Sequence, residues 1–379
     1  MLPRVLGSCL LILCATSVAH AEDCYGTHTL GGCFSALGVS GPAEPGPFRS
    51  MSLGRALPYG SAAFSANAWY LVRPAELVVS SQDPEGRTLD VVSRATVVDL
   101  RSAVGLGRSI DLTLALPIYA DIRGAGPDAI ASQKPQPVQG AALGDVRVGV
   151  RSSLLPATDE SMFRLMLRNE WTLPTGNASK YTGDNTATST LAITGAWQYA
   201  GWSAAIDAGY RAAPALRFGD VRLGSAALFG LGFARDIIEP GVLSIGIEAW
   251  ANPVLVASPT TDMPTNSNTP RVPSHTLAVP AEWMANIQVH PESWPFWAWM
   301  GGGSALPLSS RDVVNNPPQN VAFEDAHFIA PSAARIRLGL GLGFVLDGTA
   351  ESKVTTPPAP PNDTPPTPPS DMQWPGAHD

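Results

Sequence analysis

Apolar residues recur at every second position in segment after segment of this chain, and no internal run of eighteen residues is apolar throughout. A side chain that returns to the same face every two residues belongs to a β-strand. The lack of a long apolar run argues against a membrane-spanning helix. The clearest segment places Ile110, Leu112, Leu114, Leu116 and Ile118 on one face and Asp111, Thr113 and Ala115 on the other. Val146, Val148 and Val150 then alternate with Asp145, Arg147, Gly149 and Arg151. Phe163, Leu165, Leu167 and Trp171 oppose Arg164, Met166, Arg168 and Glu170. The same pattern sets Asp207 and Arg211 against Trp202–Tyr210, and Asp220 and Arg222 against Val221–Phe229. It sets Glu248 against Leu243–Ile247, and Arg335, Arg337 and a row of glycines against Ile336–Phe344. With alternating segments over Leu191–Tyr199 and Leu277–Val289, and less regular ones near 61–72, 94–106 and 294–305, the count is twelve, an even number.

The second face separates a soluble sandwich from a membrane barrel. A sandwich turns Lys, Glu and Thr to bulk water. Here the second face mixes Arg, Asp and Glu with Gly, Ala and Ser, and lysine is nearly absent from the strands. Small residues and scattered charges suit a barrel interior, where opposite strands face one another. Segments of about ten residues, tilted near 45°, match a bilayer core. A mean globular strand has only about five or six.

Connection lengths point the same way. Those near 107–109, 155–160, 200–201, 233–240 and 290–293 are tight. Those near 73–93, 120–142, 174–188, 251–275 and 306–333 are long, and 213–218 is a short exception in a long slot. Outer-membrane barrels have short periplasmic turns and longer extracellular loops. The fold class expected is therefore all-β: a transmembrane antiparallel up-and-down β-barrel of about twelve strands, both termini periplasmic. Closure is required because lipid offers bare strand edges no partner.

Aromatic residues gather near strand ends. Trp171, Trp197, Tyr199, Trp202, Tyr210, Trp250, Trp283 and Trp297 are expected to form girdles at headgroup level. The inward, lumen-lining set is expected to be Asp145, Arg147, Arg151, Arg164, Arg168, Glu170, Asp207, Arg211, Asp220, Arg222, Glu248, Arg335 and Arg337. Arginines outnumber acids eight to five in this set, which predicts mild anion preference if a pore is open.

The termini divide the chain further. Arg4, an apolar run over Val5–Val18 and Ala19-His20-Ala21 form a signal peptide, 1–21. Residues 22–55 read as an N-terminal periplasmic segment, in which Cys24 and Cys33 are expected to pair after export. The barrel is expected over 56–346. Residues 347–379 form a Pro-rich, polyproline-like periplasmic tail that cannot bury a core. Within 73–93, two β-prone arms flank Asp83-Pro84-Glu85-Gly86, which predicts a hairpin above the membrane.

Several function classes are disfavoured. A net charge of −8 argues against nucleic-acid binding. His28, His275, His290, His327 and His378 belong to no Ser/His/Asp arrangement, and no metal-ligand spacing occurs. Gly339–Gly343 is a strand leading to a Pro-rich tail, with no helix to hold phosphate. No cofactor and no enzyme activity are expected.

The run Leu143-Gly144-Asp145-Val146-Arg147-Val148-Gly149, followed by Arg168-Asn169-Glu170-Trp171-Thr172-Leu173-Pro174-Thr175-Gly176, resembles certain Gram-negative outer-membrane barrels. Leu106–Leu112 with Leu116-Pro117-Ile118-Tyr119 resembles the same group. These are transporter- or porin-like barrels, including those placed ahead of OmpA-type peptidoglycan-binding domains. The resemblance covers roughly 50–346, and a wall-binding domain is not expected in this chain. It implies outer-membrane lipid and lipopolysaccharide, the outer-membrane insertion machinery and small solutes as partners. Three functional readings follow: a passive channel or transporter, a structural barrel tied to periplasmic or cell-wall partners through its tail, and a surface adhesin or receptor using its outer loops.

Overall fold

The computed structural model describes residues 25–26, 29–30, 35–38, 41–79, 87–107, 109–126, 137–155, 162–184, 186–214, 216–218, 221–238, 242–255, 279–291, 294–306, 326–328 and 333–348. Cys24, Cys33, the signal peptide, Asp220 and the tail from Thr349 lie outside these residues.

Twelve antiparallel strands close into one barrel. They are β1 (Ala62–Val79), β2 (Arg87–Gly105), β3 (Ile110–Gly124), β4 (Val146–Ser153), β5 (Phe163–Leu173) and β6 (Thr188–Tyr199). The second half is β7 (Trp202–Ala212), β8 (Ala226–Ile238), β9 (Leu243–Ala251), β10 (Ala281–Val289), β11 (Phe296–Ala305) and β12 (Ile336–Leu346). Each strand pairs with its sequence neighbours, and β12 pairs with β1 from Ile336↔Val72 to Leu346↔Ala62. That pairing leaves the wall no free edge, the condition for a sheet in lipid.

The apolar parity faces outward. On β3, Leu112 and Leu114 are exposed while Asp111 is fully buried. On β8, Phe229, Leu231 and Phe233 are exposed and alternate with Gly230, Gly232 and Ala234. On β12, Leu338, Leu340 and Leu342 are exposed and alternate with Gly339, Gly341 and Gly343. An apolar belt of this extent is at rest only against hydrocarbon.

The connections sort by end. Those at 106–109, 154–162, 200–201, 239–242 and 290–295 form the short-turn end. Those at 80–86, 125–145, 174–187, 213–225, 252–280 and 306–335 form the long-loop end. β1 and β2 pair out to Val79↔Arg87, which supplies the two arms of the expected hairpin; its Asp83-Pro84-Glu85-Gly86 turn lies outside the described residues. Ala326–Phe328 adds a short strand to its edge.

Three local expectations are corrected. Val221–Leu223 does not run into β8. It pairs with Leu216–Phe218 in a separate small hairpin, because Gly224 and Ser225 break the strand before Ala226. Arg222 is therefore not in the barrel wall. Residues 120–142 are not all loop, since Val138–Leu143 pairs with the upper part of β3 before Gly144 and Asp145 interrupt it. Finally, residues 41–55, expected in the periplasm, lie inside the barrel, as do 56–57. Inward Gly and Ala leave room there, and the segment fills it. Phe48 and Met51 form a buried cluster with Ala196, Ala205 and Ala234, with Leu53 packed against it. A Cβ on Gly232 would stand 2.7 Å from the Phe48 ring.

Candidate functional site: the divided barrel interior

The interior is filled unevenly. One side, facing β1–β3 and β9–β12, is solid. Its buried cluster includes Leu37, Trp69, Leu71, Val97, Tyr119, Ile122, Trp250, Met284, Trp297 and Trp299. Inward glycines on β12 take up the indoles: a Cβ on Gly339 would lie 2.7 Å from Trp69, and one on Gly343 2.5 Å from Trp297. Trp69 and Trp299 pack with centroids 5.0 Å apart, and Trp299 Nε1–H donates to Asn67 Oδ1 at 2.8 Å.

Two of the expected girdle aromatics are thereby reassigned. Trp250 and Trp297 are buried inside, because they share strand parity with Glu248 and with Trp299 respectively. Trp197, Tyr199, Trp202, Tyr210 and Trp283 are exposed, and Trp171 is half-buried.

Charged side chains fix the N-terminal segment to the wall. Glu248 on β9 accepts the Arg49 N–H at 2.7 Å, the Ser50 N–H at 2.9 Å and the Ser50 hydroxyl. The Arg49 guanidinium donates to Gln288 on β10 and lies over Trp297 and Trp299, 5.4 and 5.1 Å from the ring centroids. Arg337 on β12 grips Glu282 with two hydrogen bonds, of 2.6 and 2.9 Å, and donates to the Leu37 carbonyl at 2.8 Å. It also sits 5.4 Å from the Trp69 centroid. Arg151 grips Asp111 at 2.7 and 2.8 Å and reaches Glu44 of the segment, while Asp111 accepts the Leu57 N–H at 3.0 Å. Forked guanidinium–carboxylate pairs are among the strongest polar contacts a protein makes.

The other side is polar and partly open. A cavity of about 190 Å³ opens at the long-loop end. Its walls carry Asp145, Arg147, Arg168, Glu170, Asp207 and Arg211, with the hydroxyls of Thr172, Thr186, Thr188 and Thr190, and the plug residues Ser50 and Met51 close it below. Asp207 accepts from Arg168 at 3.1 Å and from Thr194 at 2.7 Å. Arg211 pairs with Asp184. Asp145 accepts the Gly176 and Asp184 N–H groups at 2.8 and 2.7 Å, yet burial still raises its carboxyl above the usual range. Arg147, Arg168 and Glu170 also border a cavity of about 20 Å³ deeper in the wall, beside Arg101 and Arg151. The small space lies along the inner faces of β2–β6 and the larger one along those of β4–β8, with Arg147, Arg168 and Glu170 shared between them.

Of the lumen-lining residues expected, Asp145, Arg147, Arg168, Glu170, Asp207 and Arg211 meet in the open half. Arg151, Glu248 and Arg337 are buried in latches. Arg164, also buried, pairs with Gln198 at the short-turn end. Arg335 is exposed just before β12 and pairs with the buried Glu76 of β1 at 3.4 Å. Sequence reasoning missed Asp99 and Arg101, a buried pair on β2, and Glu282 and Gln288 on β10. Their inward parity could have been read by counting in twos along each strand; the β2 segment read as irregular, and on β10 only the apolar face was counted. Among the described residues, no group of His, Cys, Asp and Glu is arranged to hold a metal ion.

No protein-family model and no curated protein matches the sequence. Solved structures do. An outer-membrane channel from Pseudomonas putida F1 aligns over 80% of this chain and 100% of its own, at 14% identity and a TM-score of 0.51. The NanC porin aligns over 74% of this chain and 98% of its own, at 8% identity and a TM-score of 0.41. The likeness to the first is a likeness of fold: the chain is an antiparallel β-barrel of the kind found among outer-membrane channels.

Proposed function

We propose that the protein is an outer-membrane channel of narrow bore, passing small polar solutes along one side of its interior. The observation that carries this reading is the uneven filling of the lumen at its long-loop end. The half with β9–β12 is packed solid, whereas the β4–β8 half holds a hydroxylated, charged cavity open at the long-loop end. Hydroxyls and fixed charges can replace a solute's hydration shell without trapping it. The outward apolar belt supports an outer-membrane location, with short turns in the periplasm.

Selectivity is revised from the sequence expectation. Arg222 stands in a separate hairpin, and the carboxylates Asp99, Asp111 and Glu282 are each paired with an arginine, Arg101, Arg151 and Arg337. Around the open cavity, Asp145, Glu170, Asp184 and Asp207 face Arg147, Arg168 and Arg211, four acids to three bases. Weak cation preference follows. Single-channel recording of the refolded mature protein tests the proposal: small discrete steps with a reversal potential slightly on the cation side support it. Large porin-like steps, or strong anion selectivity, refute it. The filled lower lumen favours one second reading, a structural barrel whose tail engages periplasmic or wall partners. Protein that inserts yet stays silent would support that reading instead.

A further inference from the structure

The chain before β1 enters the barrel from the end opposite to the one where β1 begins. Ser35 N–H donates to Asp184 at 3.1 Å, Ala36 N–H to the Tyr181 carbonyl at 3.0 Å and Leu37 N–H to the Tyr119 hydroxyl at 3.0 Å. Asp184 and Tyr181 belong to the β5–β6 connection of the long-loop end, and Arg337, which binds the Leu37 carbonyl, is the second residue of β12 at that same end. The segment then descends. Glu44 meets Arg151 near the short-turn end of β4. It rises to mid-wall, where Phe48 and Met51 fill the space beside Gly232 and Gly230. It falls again to Leu57, held by Asp111, and Gly60, whose N–H donates to Gly105 at 3.0 Å at the short-turn end. β1 starts upward from there.

We infer that residues 35–57 form a resident plug threaded through the lumen, so that the mature N-terminus emerges at the long-loop face. This rests on the reading of an outer-membrane barrel with its long loops outside. The N-terminus is then at the cell surface, at the end opposite to the one where β12 finishes, rather than in the periplasm. The plug touches β2, β4, β8, β9, β10 and β12 from within and β1 closes the wall against β12. A chain packed on all sides cannot be drawn in after closure. The residues before Ser35 therefore cross together with the long loops, before β1 and β12 pair. The buried latches also keep the plug in place while solutes pass beside it.

The chain's own amines provide the test. Its lysines are Lys134 and Lys180, in long connections, and Lys353, after β12. The segment from Glu22 to Arg49 contains no lysine, so a modified N-terminal tryptic peptide reports the α-amine alone. Intact cells carrying the wild-type protein are treated with a membrane-impermeant amine-reactive biotin, and the peptides are read by mass spectrometry against permeabilised cells. With the plug threaded in this direction, the N-terminal peptide and Lys180 are labelled on intact cells, and Lys353 only after permeabilisation. Labelling of Lys180 on intact cells, with the N-terminal peptide reached only after permeabilisation, overturns the inference and leaves the barrel reading standing. Labelling of Lys353 without Lys180 overturns the orientation itself. A short epitope inserted after Asp23, probed by antibody on intact cells, locates the N-terminus in the same way if the α-amine is chemically blocked.

Discussion

Gly341 occupies the inward parity of β12 because nothing larger fits there. An added Cβ would collide with the Trp299 indole nitrogen and stand 2.5 Å from Asn67 Oδ1. Gly341→Leu would force both aside and break the Trp299–Asn67 hydrogen bond. Overpacking of this kind costs about 1–3 kcal/mol, with the lost bond in addition, so we expect a clear drop in the denaturation midpoint of the refolded barrel. Charge is held as tightly as volume on the same strand face. Arg337→Ala strands Glu282, which is 1% exposed, without its partner. Removing one member of a buried pair costs about 3–5 kcal/mol. The double replacement with Glu282→Met should recover part of that loss in the same denaturation series. The glycine row and Arg337 share one parity of a regular strand, so both were legible as inward. Trp250 and Trp297 were not, because an indole near a strand end suits a headgroup zone as well as a packed interior. Parity decided between them: Trp250 follows Glu248 by two residues, and an inward carboxylate implies an inward ring.

At the scale of elements, strands were legible and the plug was not. A strand in a barrel wall has two solvents, lipid and lumen, and each writes its own residue types at every second position. Val148 and Arg147 show the contrast. Val148→Arg turns a charge into lipid and should cost about 2–4 kcal/mol near the midplane, measurable as a shift in the urea midpoint of refolding into vesicles. The inward Arg147→Glu should leave that midpoint far less changed and shift the reversal potential further to the cation side. Residues 41–57 follow no such rule. The segment is rich in Pro and Gly, has no period, and meets a different wall strand every few residues. Its apolar residues, Phe48, Met51, Leu53 and Leu57, therefore look like those of any ordinary linker. Only the inward glycines of β8 hinted that the lumen had to be filled by something from elsewhere in the chain. Weakening the plug should be seen directly. Arg49→Ala removes the guanidinium from Gln288 and from both indoles, and single-channel traces should show larger, noisier openings than wild type. Unchanged conductance would mean that the plug does not limit the path.

For the whole molecule, a channel and a scaffold depend on different parts of the chain. Closure of the wall depends on β12 meeting β1, and that register ends at Leu346↔Ala62. The last contacts that secure the seam are the Val345 N–H on the Pro295 carbonyl at 2.8 Å and the Gly348 N–H on the Ser61 hydroxyl at 3.3 Å. The compact unit likewise ends at Gly348. Among the described residues, every contact that closes the barrel, holds the plug or lines the open cavity lies at or before that residue. A chain truncated from Thr355 should therefore refold with the wild-type midpoint and conduct with the same step size and selectivity. The Pro-rich stretch it loses has a composition that cannot bury a core of its own. The scaffold reading makes a different demand on the same variant: barrel and conductance unaltered, but a periplasmic or cell-wall partner lost in co-purification from crosslinked cells. A truncated chain that conducts normally and loses no partner leaves the passage of solutes as the barrel's role. One that loses a partner while the wild-type protein is silent in bilayers transfers that role to the tail.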